Sequence, residues 1–415
     1  MDGSEGVAPS RRRTSRQGTA GTFPAQHHQV DLSSARVDKN RCPVSNPDCL
    51  GDTPTVIYRS RSRTHHVVQA SIDARENACH PAGYDADVRT PIRNPPDPMY
   101  AEFEVHRTMI CDRVRTEAFR RAIDSVVRPG DIVLDVGAGS GILSVFAARA
   151  GAARVYAVER TSAAVLAQEL AAANGAAETI QVIHGDIMDI EPPEGVDVIV
   201  SEWLGGFGID EGMLVPVIAA RDRWLKPGGV MIPRLVMAWA ALVHDRYLAE
   251  MVAFLRDNPY GLRFDDLAEK TVNEIFYSGT FRHLAAGDKR SQASRLWTTD
   301  AGLIPVQQAQ APHEAETVLP VRDCGTANAL ALWFSAQLAP GISLSVGPGD
   351  PPTHWGMTTA PLRSPVELTP GMVVRARVRT ALARPAGTWT SWAIALPGAD
   401  WEKHDEQAVW EEIDD

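Results

Sequence analysis

The stretch Ile132-Val-Leu-Asp-Val-Gly-Ala-Gly-Ser-Gly141 decides the fold, because an apolar run leads straight into three alternating glycines. The run before Gly137 is typical of a buried strand, and the Ala-rich segment through Ala150 is typical of a helix. A glycine loop between a strand and a helix lets the backbone turn sharply and approach a ligand closely. We therefore predict a ligand site at Gly137, Gly139 and Gly141.

Strands and helices alternate beyond this loop. Apolar runs typical of strands lie at 155–158, 180–183, 196–200 and near 230–233, with a helical stretch within 163–174 and a turn at 224–229. Because this alternation is typical of a doubly wound parallel sheet, we predict an α/β fold with a Rossmann-like domain.

Composition divides the chain into three regions. Residues 1–97 are rich in Ser, Arg, Gly, Pro and Thr without a hydrophobic period, which predicts a disordered or poorly ordered extension. Residues 98–233 contain the Rossmann-like pattern. Residues 234–415 begin with a helical stretch at about 241–275 and continue from about residue 285 as short alternating strands. This last pattern predicts a mostly β, barrel-like domain.

The overall composition excludes several classes of protein. The 415 residues are 44% hydrophobic and 22% charged, as is ordinary for a soluble globular protein. We expect no membrane span and no secretory signal, because no apolar run is long enough and the N-terminus lacks an apolar core. Five scattered cysteines predict a cytoplasmic protein and match no zinc spacing. Residues 1–95 carry about +3 and the remainder about −14, which disfavours nucleic acid as a partner and suits a cationic substrate.

Two acidic residues accompany the glycine loop. Asp135 stands two residues before Gly137, and Glu159 ends the next predicted strand, 22 residues after Gly137. An acidic residue at the end of the next strand, as Glu159 is, can hold ribose hydroxyls, which is compatible with NAD and with S-adenosylmethionine. The loop departs from the Gly-x-Gly-x-x-Gly spacing that leaves a helix start free for pyrophosphate. A carboxylate at Asp135 would repel pyrophosphate and attract the cationic amino end of S-adenosylmethionine, so we predict the latter as cofactor.

A second glycine-rich loop follows the 196–200 strand. Glu202 and Glu211 lie nine residues apart, with Gly205, Gly206 and Gly208 between them. Two carboxylates that face one pocket stay ionised only with a cation between them. A guanidinium is permanently cationic, and its planar fork pairs with carboxylates. The spacing alone is equally compatible with a solvated acidic loop.

Three motifs in order resemble the protein arginine methyltransferases. They are residues 135–144 followed by Glu159, Ser201-Glu-Trp with a second glutamate nine residues on, and Thr353-His-Trp355 far downstream. Residues 99–127 have helical spacing, and this segment is similar to the one that covers the family's cofactor. The similarity extends from about residue 98 to the C-terminus. It implies a class I S-adenosylmethionine-dependent methyltransferase that acts on a guanidino nitrogen of arginine, in proteins or as free arginine.

The resemblance implies a role for each matching residue. Glu202 and Glu211 would grip and polarise the guanidinium, and His354 would pair with Asp112 near the reaction centre. Cofactor contacts would come from His106, Arg115, Asp135, Gly137, Gly139, Gly141, Glu159, Ile187 and Met188. The substrate would contact Tyr100, Met109 and Trp355. Arg115 would pair with the cofactor's carboxylate, helped by His106; these two residues are nine apart, about 900° of helix, so both reach one ligand only across a break.

Departures from the family pattern keep other hypotheses open. Pro96 and Asp97 stand where the family has an aromatic pair, and Met188 stands at the family's acidic adenine contact. Gly206-Phe-Gly208 replaces bulkier residues, which predicts a roomier acceptor pocket. A second hypothesis is therefore a small-molecule N- or O-methyltransferase of a biosynthetic pathway, and a third is a catalytically inactive scaffold. The segment 256–274 resembles the family's helical dimerisation arm, so we expect a head-to-tail homodimer.

Overall fold

Five apolar runs form one parallel sheet. Its strands are β1 (Ile132–Val136), β2 (Arg154–Glu159), β3 (Ile180–His184), β4 (Val196–Val200) and β5 (Leu225–Ile232), in the order β3-β2-β1-β4-β5. The register pairs Val136 with Val158 and Asp135 with Val200, so the carboxyl ends of β1, β2 and β4 meet at one edge. Because the strand order changes direction beside β1, the crevice at this edge is where open α/β sheets bind ligands.

Three helices follow strands of the sheet: α3 (Ile142–Arg149), α4 (Ala163–Ala173) and α5 (Leu214–Trp224). The turn predicted at 224–229 is only partly correct. β5 already begins at Leu225, and a register shift against β4 accommodates Gly228, whose φ is +83°. The glycines therefore mark a bulge inside the strand instead of a separate turn.

Two helices precede the sheet, α1 (Phe103–Cys111) and α2 (Arg113–Val126). Asp112 separates them with a ψ of 90°, and its carboxylate caps α2 by accepting the backbone N–H of Arg115 at 3.0 Å. An aspartate in this position satisfies a helix N–H that has no partner within the helix. This is the break that the roles predicted for His106 and Arg115 require.

Two antiparallel sheets make up most of the remaining chain. The first contains β6 (Leu235–Val243), β7 (Phe276–Tyr277), β8 (Ser294–Asp300), β10 (Gly325–Ala339) and β12 (Thr358–Leu368), in the order β7-β12-β10-β6-β8, with β11 (Ile342–Ser345) paired to β10. The second contains β9 (His313–Pro320), β13 (Val373–Leu382), β14 (Thr388–Ala395) and β15 (Glu402–Asp405), in the order β15-β14-β13-β9. Leu330 and Leu332 of the first sheet share one apolar core with Val374, Val378 and Trp392 of the second.

A helical arm connects β6 to β7. It consists of α6 (Arg246–Arg256), a 3-10 turn (Pro259–Gly261) and α7 (Asp265–Thr271); a second 3-10 turn (Ala286–Asp288) and α8 (Val306–Gln310) lie further along the chain. The helix predicted for 241–275 is wrong at its start, because β6 continues through Val243. Residues 240–243 are all buried, so they lack the alternation that would have marked a strand.

The computed structural model describes residues 102–278, 283–382 and 388–406. The predictions for residues 1–97, for Pro96 and Asp97, for Tyr100 and for three of the cysteines lie outside these ranges. No helix in the described ranges is both long enough and apolar enough to span a bilayer.

Candidate active site

The glycine loop after β1 has a backbone that only glycine adopts freely. Gly137, Gly139 and Gly141 have φ values of +69°, +53° and +76°. A Cβ on Gly141 would lie 2.9 Å from the Cβ of Ala167 in α4, and a Cβ on Gly139 would lie 3.0 Å from Cε1 of His106. The loop is therefore pressed between α4 and the buried ring of His106, as expected if α1 covers a ligand at this loop.

Asp135 is almost fully buried at the end of β1. Its Oδ2 accepts a hydrogen bond from Ser144 Oγ at 2.7 Å, while Oδ1 has no hydrogen-bond partner among the described residues. Burial raises the pKa of Asp135 to about 7; the Ser144 bond opposes this rise, and the negative charge of Glu159 adds to it. A buried carboxyl oxygen without a donor is a site that a cationic group can satisfy.

Glu159 ends β2 with its carboxylate directed at the glycine loop. Its Oε2 accepts the N–H of Gly139 at 2.8 Å, and its Oε1 accepts the N–H of Thr161, also at 2.8 Å. The sequence predicted a ribose contact at this position, and the structure brings Glu159 to the loop that would carry the rest of that ligand.

The predicted adenine contacts lie in the segment after β3. Gly185 donates its N–H to the carbonyl of Glu159 at 2.9 Å, which places this segment beside the end of β2. Arg223 of α5 donates to the carbonyls of Ile187 at 3.0 Å and Met188 at 3.1 Å. The backbone of Ile187 and Met188 is therefore held by α5, two and three residues after the contact of Gly185 with Glu159.

Asp112 links the N-terminal helices to the Thr-His-Trp motif. One carboxylate oxygen caps α2, and the other accepts both the backbone N–H and the ring Nδ1 of His354, each at 2.8 Å. Burial alone would raise the pKa of Asp112, but the bonds from His354 and from the N–H of Arg115 outweigh it and lower the pKa below its ordinary value. The predicted pair of Asp112 and His354 is thus formed, across 242 residues of sequence.

Arg115 links the N-terminal helices to the loop that carries Glu202. Its Nε and Nη2 donate to Oε2 of Glu202 at 3.0 and 2.9 Å, and its Nη1 donates to the carbonyl of Met109 at 3.3 Å. The side chains of Arg115 and Glu202 are 7% and 9% exposed, so this ion pair is buried. The sequence assigned Arg115 to the cofactor's carboxylate and Glu202 to the acceptor, and the structure joins the two residues directly.

Trp355 fixes the first part of the loop that carries Glu202. Its Nε1 donates to the carbonyl of Leu204 at 2.6 Å, and its ring meets Phe334 edge to face at 5.0 Å. The N–H of Leu204 in turn donates to Oε1 of Glu202 at 2.9 Å. Trp355 therefore acts on the Glu202 carboxylate through a single residue.

The glycines between Glu202 and Glu211 do not enlarge the pocket. A Cβ on Gly206 would lie 2.1 Å from Oγ1 of Thr358, and one on Gly208 would lie 2.9 Å from Cγ1 of Val236. The space of the missing side chains is filled by the first antiparallel sheet, so the roomier pocket predicted there is wrong. Glu211 itself is exposed at the far end of the loop.

Known proteins share both the sequence and the fold. The model of the ribosomal protein L11 methyltransferase family matches residues 116–233. A probable protein arginine N-methyltransferase 6 from Arabidopsis thaliana is 32% identical over 324 residues, covering 67% of this chain and 73% of its own length. The protein arginine N-methyltransferase PRMT10 from Oryza sativa subsp. japonica is 34% identical over 301 residues, covering 66% and 79%. This chain belongs to the protein arginine N-methyltransferase family.

Solved structures of the family agree with this fold. A Trypanosoma brucei PRMT1 enzyme–prozyme heterotetrameric complex with AdoHcy superposes with a TM-score of 0.68 at 27% identity, covering 74% of this chain and 98% of that one. The Arabidopsis thaliana protein arginine methyltransferase 10 superposes with a TM-score of 0.63, also at 27% identity and with the same coverage. The α/β architecture with a Rossmann-like domain and an antiparallel domain is confirmed.

The methyltransferase uses S-adenosylmethionine, and its residues fit that cofactor. Asp135 Oδ1 is a buried acceptor in need of a donor, and the cationic amino group of the cofactor is such a donor. Gly137, Gly139 and Gly141 have no side chain to obstruct a ligand, and the Glu159 carboxylate beside the loop suits ribose hydroxyls.

Sequence reasoning missed two parts of this methyltransferase site. Ser144 of α3 donates a hydrogen bond to Asp135 from nine residues further along the chain. An acid and a hydroxyl at that separation do not by themselves indicate a contact. Asp210 was passed over because Glu211 beside it carried the family motif. The burial of Asp210, next to the exposed Glu211, is visible only in the fold.

Proposed function

We propose that the enzyme methylates the guanidino nitrogen of arginine side chains in proteins. The buried Arg115–Glu202 pair carries this proposal. In this pair, Glu202 already accepts hydrogen bonds from one planar guanidinium. Trp355 holds the same loop through the carbonyl of Leu204. Oε2 of Glu202 accepts both bonds from Arg115, while Oε1 accepts only the N–H of Leu204 and can take one N–H of an acceptor guanidinium.

Positioning dominates the proposed mechanism. Bound S-adenosylmethionine supplies an electrophilic methyl group on its sulfonium. Glu202 and Glu211 grip the acceptor guanidinium and draw its positive charge to one side, so that one terminal nitrogen is richer in electron density. Arg115 and the N–H of Leu204 orient the Glu202 carboxylate, and the Trp355 bond to Leu204 keeps this arrangement rigid.

The acceptor loses its proton late in the proposed reaction, because a guanidinium does not deprotonate freely near neutral pH. Glu211 and the His354–Asp112 pair are the two candidate acceptors for it. The lowered pKa of Asp112 keeps that residue anionic, so it can stabilise a protonated His354.

Replacement of Glu202 by Gln tests the proposal. Gln keeps the size of the side chain and an oxygen for Arg115 but loses the charge, so we expect turnover of an Arg-Gly-rich peptide to fall by about 10²–10³-fold. Cofactor binding, measured by calorimetry, should stay near the wild-type value, and thermal unfolding checks that the variant is folded. Near-normal turnover would overturn the role of Glu202.

The acceptor class is tested by incubating the wild-type enzyme with labelled cofactor and either an Arg-Gly-rich peptide or free arginine. We expect label in the peptide, because the relatives are named protein arginine methyltransferases and because the extra room that favoured a small molecule is absent at Gly206 and Gly208. Label in free arginine alone would support the small-molecule hypothesis instead. Label in neither, with cofactor bound, would support an inactive scaffold.

We further propose a homodimer that forms through the helical arm. α6 buries only Leu248, while Phe254, Tyr260 and Leu262 are 52%, 86% and 58% exposed. Large apolar side chains grouped on one exposed element are typical of interfaces. A Phe254→Glu variant should change the mass in solution from dimer to monomer, whereas a monomeric wild-type protein at micromolar concentration would contradict the proposal.

The remaining assignments are proposals of the same kind. Exposed free thiols at Cys111 and Cys324 support a reducing, cytoplasmic location. We propose residues 98–233 as the cofactor domain, 234–415 as the substrate domain and 1–97 as an extension.

A further inference from the structure

The loop between the two glutamates closes on itself around one carboxylate. Gly205 and Gly208 exchange both backbone hydrogen bonds at 3.2 Å. Within this turn, Asp210 accepts the N–H of Gly206 on Oδ2 at 2.9 Å and the N–H of Phe207 on Oδ1 at 3.0 Å. Because both oxygens accept backbone donors, the ionised side chain determines the shape of the turn.

The same residue ties the loop to both antiparallel sheets. The backbone carbonyl of Asp210 accepts Oγ1 of Thr388 in β14 at 2.7 Å. Tyr277 of β7 covers Gly206, where a Cβ would lie 3.1 Å from its ring, and its hydroxyl end faces the Asp210 carboxylate. A Cβ on Gly205 would lie 2.5 Å from Asp210 Oδ1, so the glycine is needed for the carboxylate to reach its donors.

Both ends of the loop are thereby fixed. Glu202 is held through Leu204 and Trp355. Glu211 directly follows Asp210 in the chain, so the position of Asp210 sets the position of the Glu211 backbone. We propose that Asp210 is a positioning residue, whose ionised carboxylate sets the location of Glu211 relative to Glu202 and hence the grip on the acceptor. This inference rests on the proposed function of the two glutamates.

The environment of Asp210 makes the grip sensitive to pH. Burial raises the pKa of Asp210 to about 6, although the N–H groups of the turn act to lower it. Two titratable groups interact with it, Tyr277 and Glu406, and Glu211 in turn interacts with Tyr277. Desolvation of its hydroxyl, and then the negative charges of Asp210, Glu406 and Glu211, raise the pKa of Tyr277 well above its ordinary value, so Tyr277 stays protonated and can donate to Asp210.

Of these neighbours, Glu406 has the pKa nearest to that of Asp210. Burial raises the pKa of Glu406 to about 7, and the charges of Glu274 and Asp210 act in the same direction. Its carboxylate accepts the N–H groups of Thr390 at 3.1 Å and Ile275 at 3.4 Å, and no N–H of the 205–208 turn donates to it in the described contacts. Protonation of Asp210 removes an acceptor from that turn, so we expect the affinity for the acceptor to fall as the pH drops through about 6.

The test compares Asp210→Asn, Tyr277→Phe and Glu406→Gln with a matched control, Asp400→Asn, whose side chain is exposed in the β14–β15 loop. kcat and KM for an Arg-Gly-rich peptide are measured from pH 5 to pH 9, and cofactor binding is measured separately. An asparagine offers one oxygen and directs its NH₂ at a backbone N–H. Asp210→Asn should therefore raise KM by about tenfold and remove the acid limb of kcat/KM near pH 6, with cofactor binding unchanged.

The other variants separate positioning from a merely structural effect. Tyr277→Phe should move the acid limb to higher pH, because the ionised Asp210 loses a donor, whereas Glu406→Gln and Asp400→Asn should retain the limb. If Asp210→Asn does not fold, the shift in Tyr277→Phe still decides the matter. An acid limb unmoved in both Asp210→Asn and Tyr277→Phe would overturn the inference. Activity in Glu202→Gln would instead overturn the proposed function on which the inference rests.

Discussion

The cofactor side and the acceptor side of this site are assembled in different ways. Asp135, the glycine loop and Glu159 belong to one continuous β–loop–α–β unit of 28 residues. The acceptor side combines Asp112, the loop at 201–211 and Thr353–Trp355, so its key contacts bridge 242 and 151 residues of sequence. Local backbone geometry therefore governs the first side, and long-range hydrogen bonds govern the second.

The two sides are nevertheless joined by Arg115. Its positive charge acts on the buried Asp135 of the cofactor side, and its guanidinium forms a buried ion pair with Glu202 of the acceptor side. Removing one partner of a buried ion pair is strongly destabilising, so this contact is expected to make α2 and the acceptor loop respond together. Variants that spare Arg115 are the ones that test each side separately.

The largest expected effect is on the cofactor side, from Gly141→Ala. The left-handed backbone costs about 1–2 kcal/mol for alanine, and overpacking against Ala167 costs about 1–3 kcal/mol more. We expect cofactor affinity, measured by calorimetry, to fall by about 100-fold or more. The unfolding free energy from urea denaturation should fall by the summed cost.

Gly175→Ala is the matched control for this variant. Gly175 has a φ of +67°, close to the +76° of Gly141, but a Cβ there would meet nothing within 4 Å. It should lose only the backbone cost of about 1–2 kcal/mol and keep its cofactor affinity. Equal losses of affinity in the two variants would show that strain alone, and not crowding at the loop, accounts for the effect.

The same contrast explains how much the sequence could predict. The parallel sheet and the glycine loop follow from local periodicity and spacing, because each is formed by neighbouring residues. The break before Arg115 does not follow from them: residues 99–127 have the spacing of one helix, and only the roles that the resemblance implies for His106 and Arg115 require a break. The two-sided burial of β10 could not be read locally: Ala329 and Ala331 face one apolar core while Leu330 and Leu332 face the other, so the run shows no alternation. The filled space above Gly206 was equally invisible, because Thr358 supplies it from 152 positions away.

A smaller effect is expected on the acceptor side, from Trp355→Phe. Phenylalanine keeps most of the packing against Phe334 but leaves the buried carbonyl of Leu204 without its donor, at a cost of about 1–3 kcal/mol. The Glu202 carboxylate then loses its rigid support, so kcat/KM for an Arg-Gly-rich peptide should fall by about tenfold. Cofactor affinity should stay unchanged. A loss confined to cofactor binding would mean that Trp355 supports the other side.

A further expected effect is a pH dependence of cofactor affinity that is governed by Asp135. Its folded pKa of about 7 lies above the ordinary value of 3.8, so without ligand the carboxyl is largely protonated below pH 7. A cationic amino group binds the ionised form, and binding below pH 7 must therefore release a proton. Affinity should rise by at most about tenfold per pH unit between pH 5 and 7 and level off above.

Asp135→Asn isolates this contribution. Asparagine keeps an oxygen for Ser144 but does not titrate, so its affinity should be weaker than wild type above pH 7 and should lack the rise between pH 5 and 7. The stability of the ligand-free wild type changes with pH in the opposite direction to its cofactor affinity. A raised folded pKa makes the ligand-free wild type less stable as the pH increases from about 4 to 7, and the variant should lose that slope as well. Calorimetry in buffers of different ionisation enthalpy measures the released proton directly. A wild-type affinity that is flat from pH 5 to 8 would show that the unpartnered Oδ1 does not receive the amino group, and the acid before the first glycine would then have no part in the choice of cofactor.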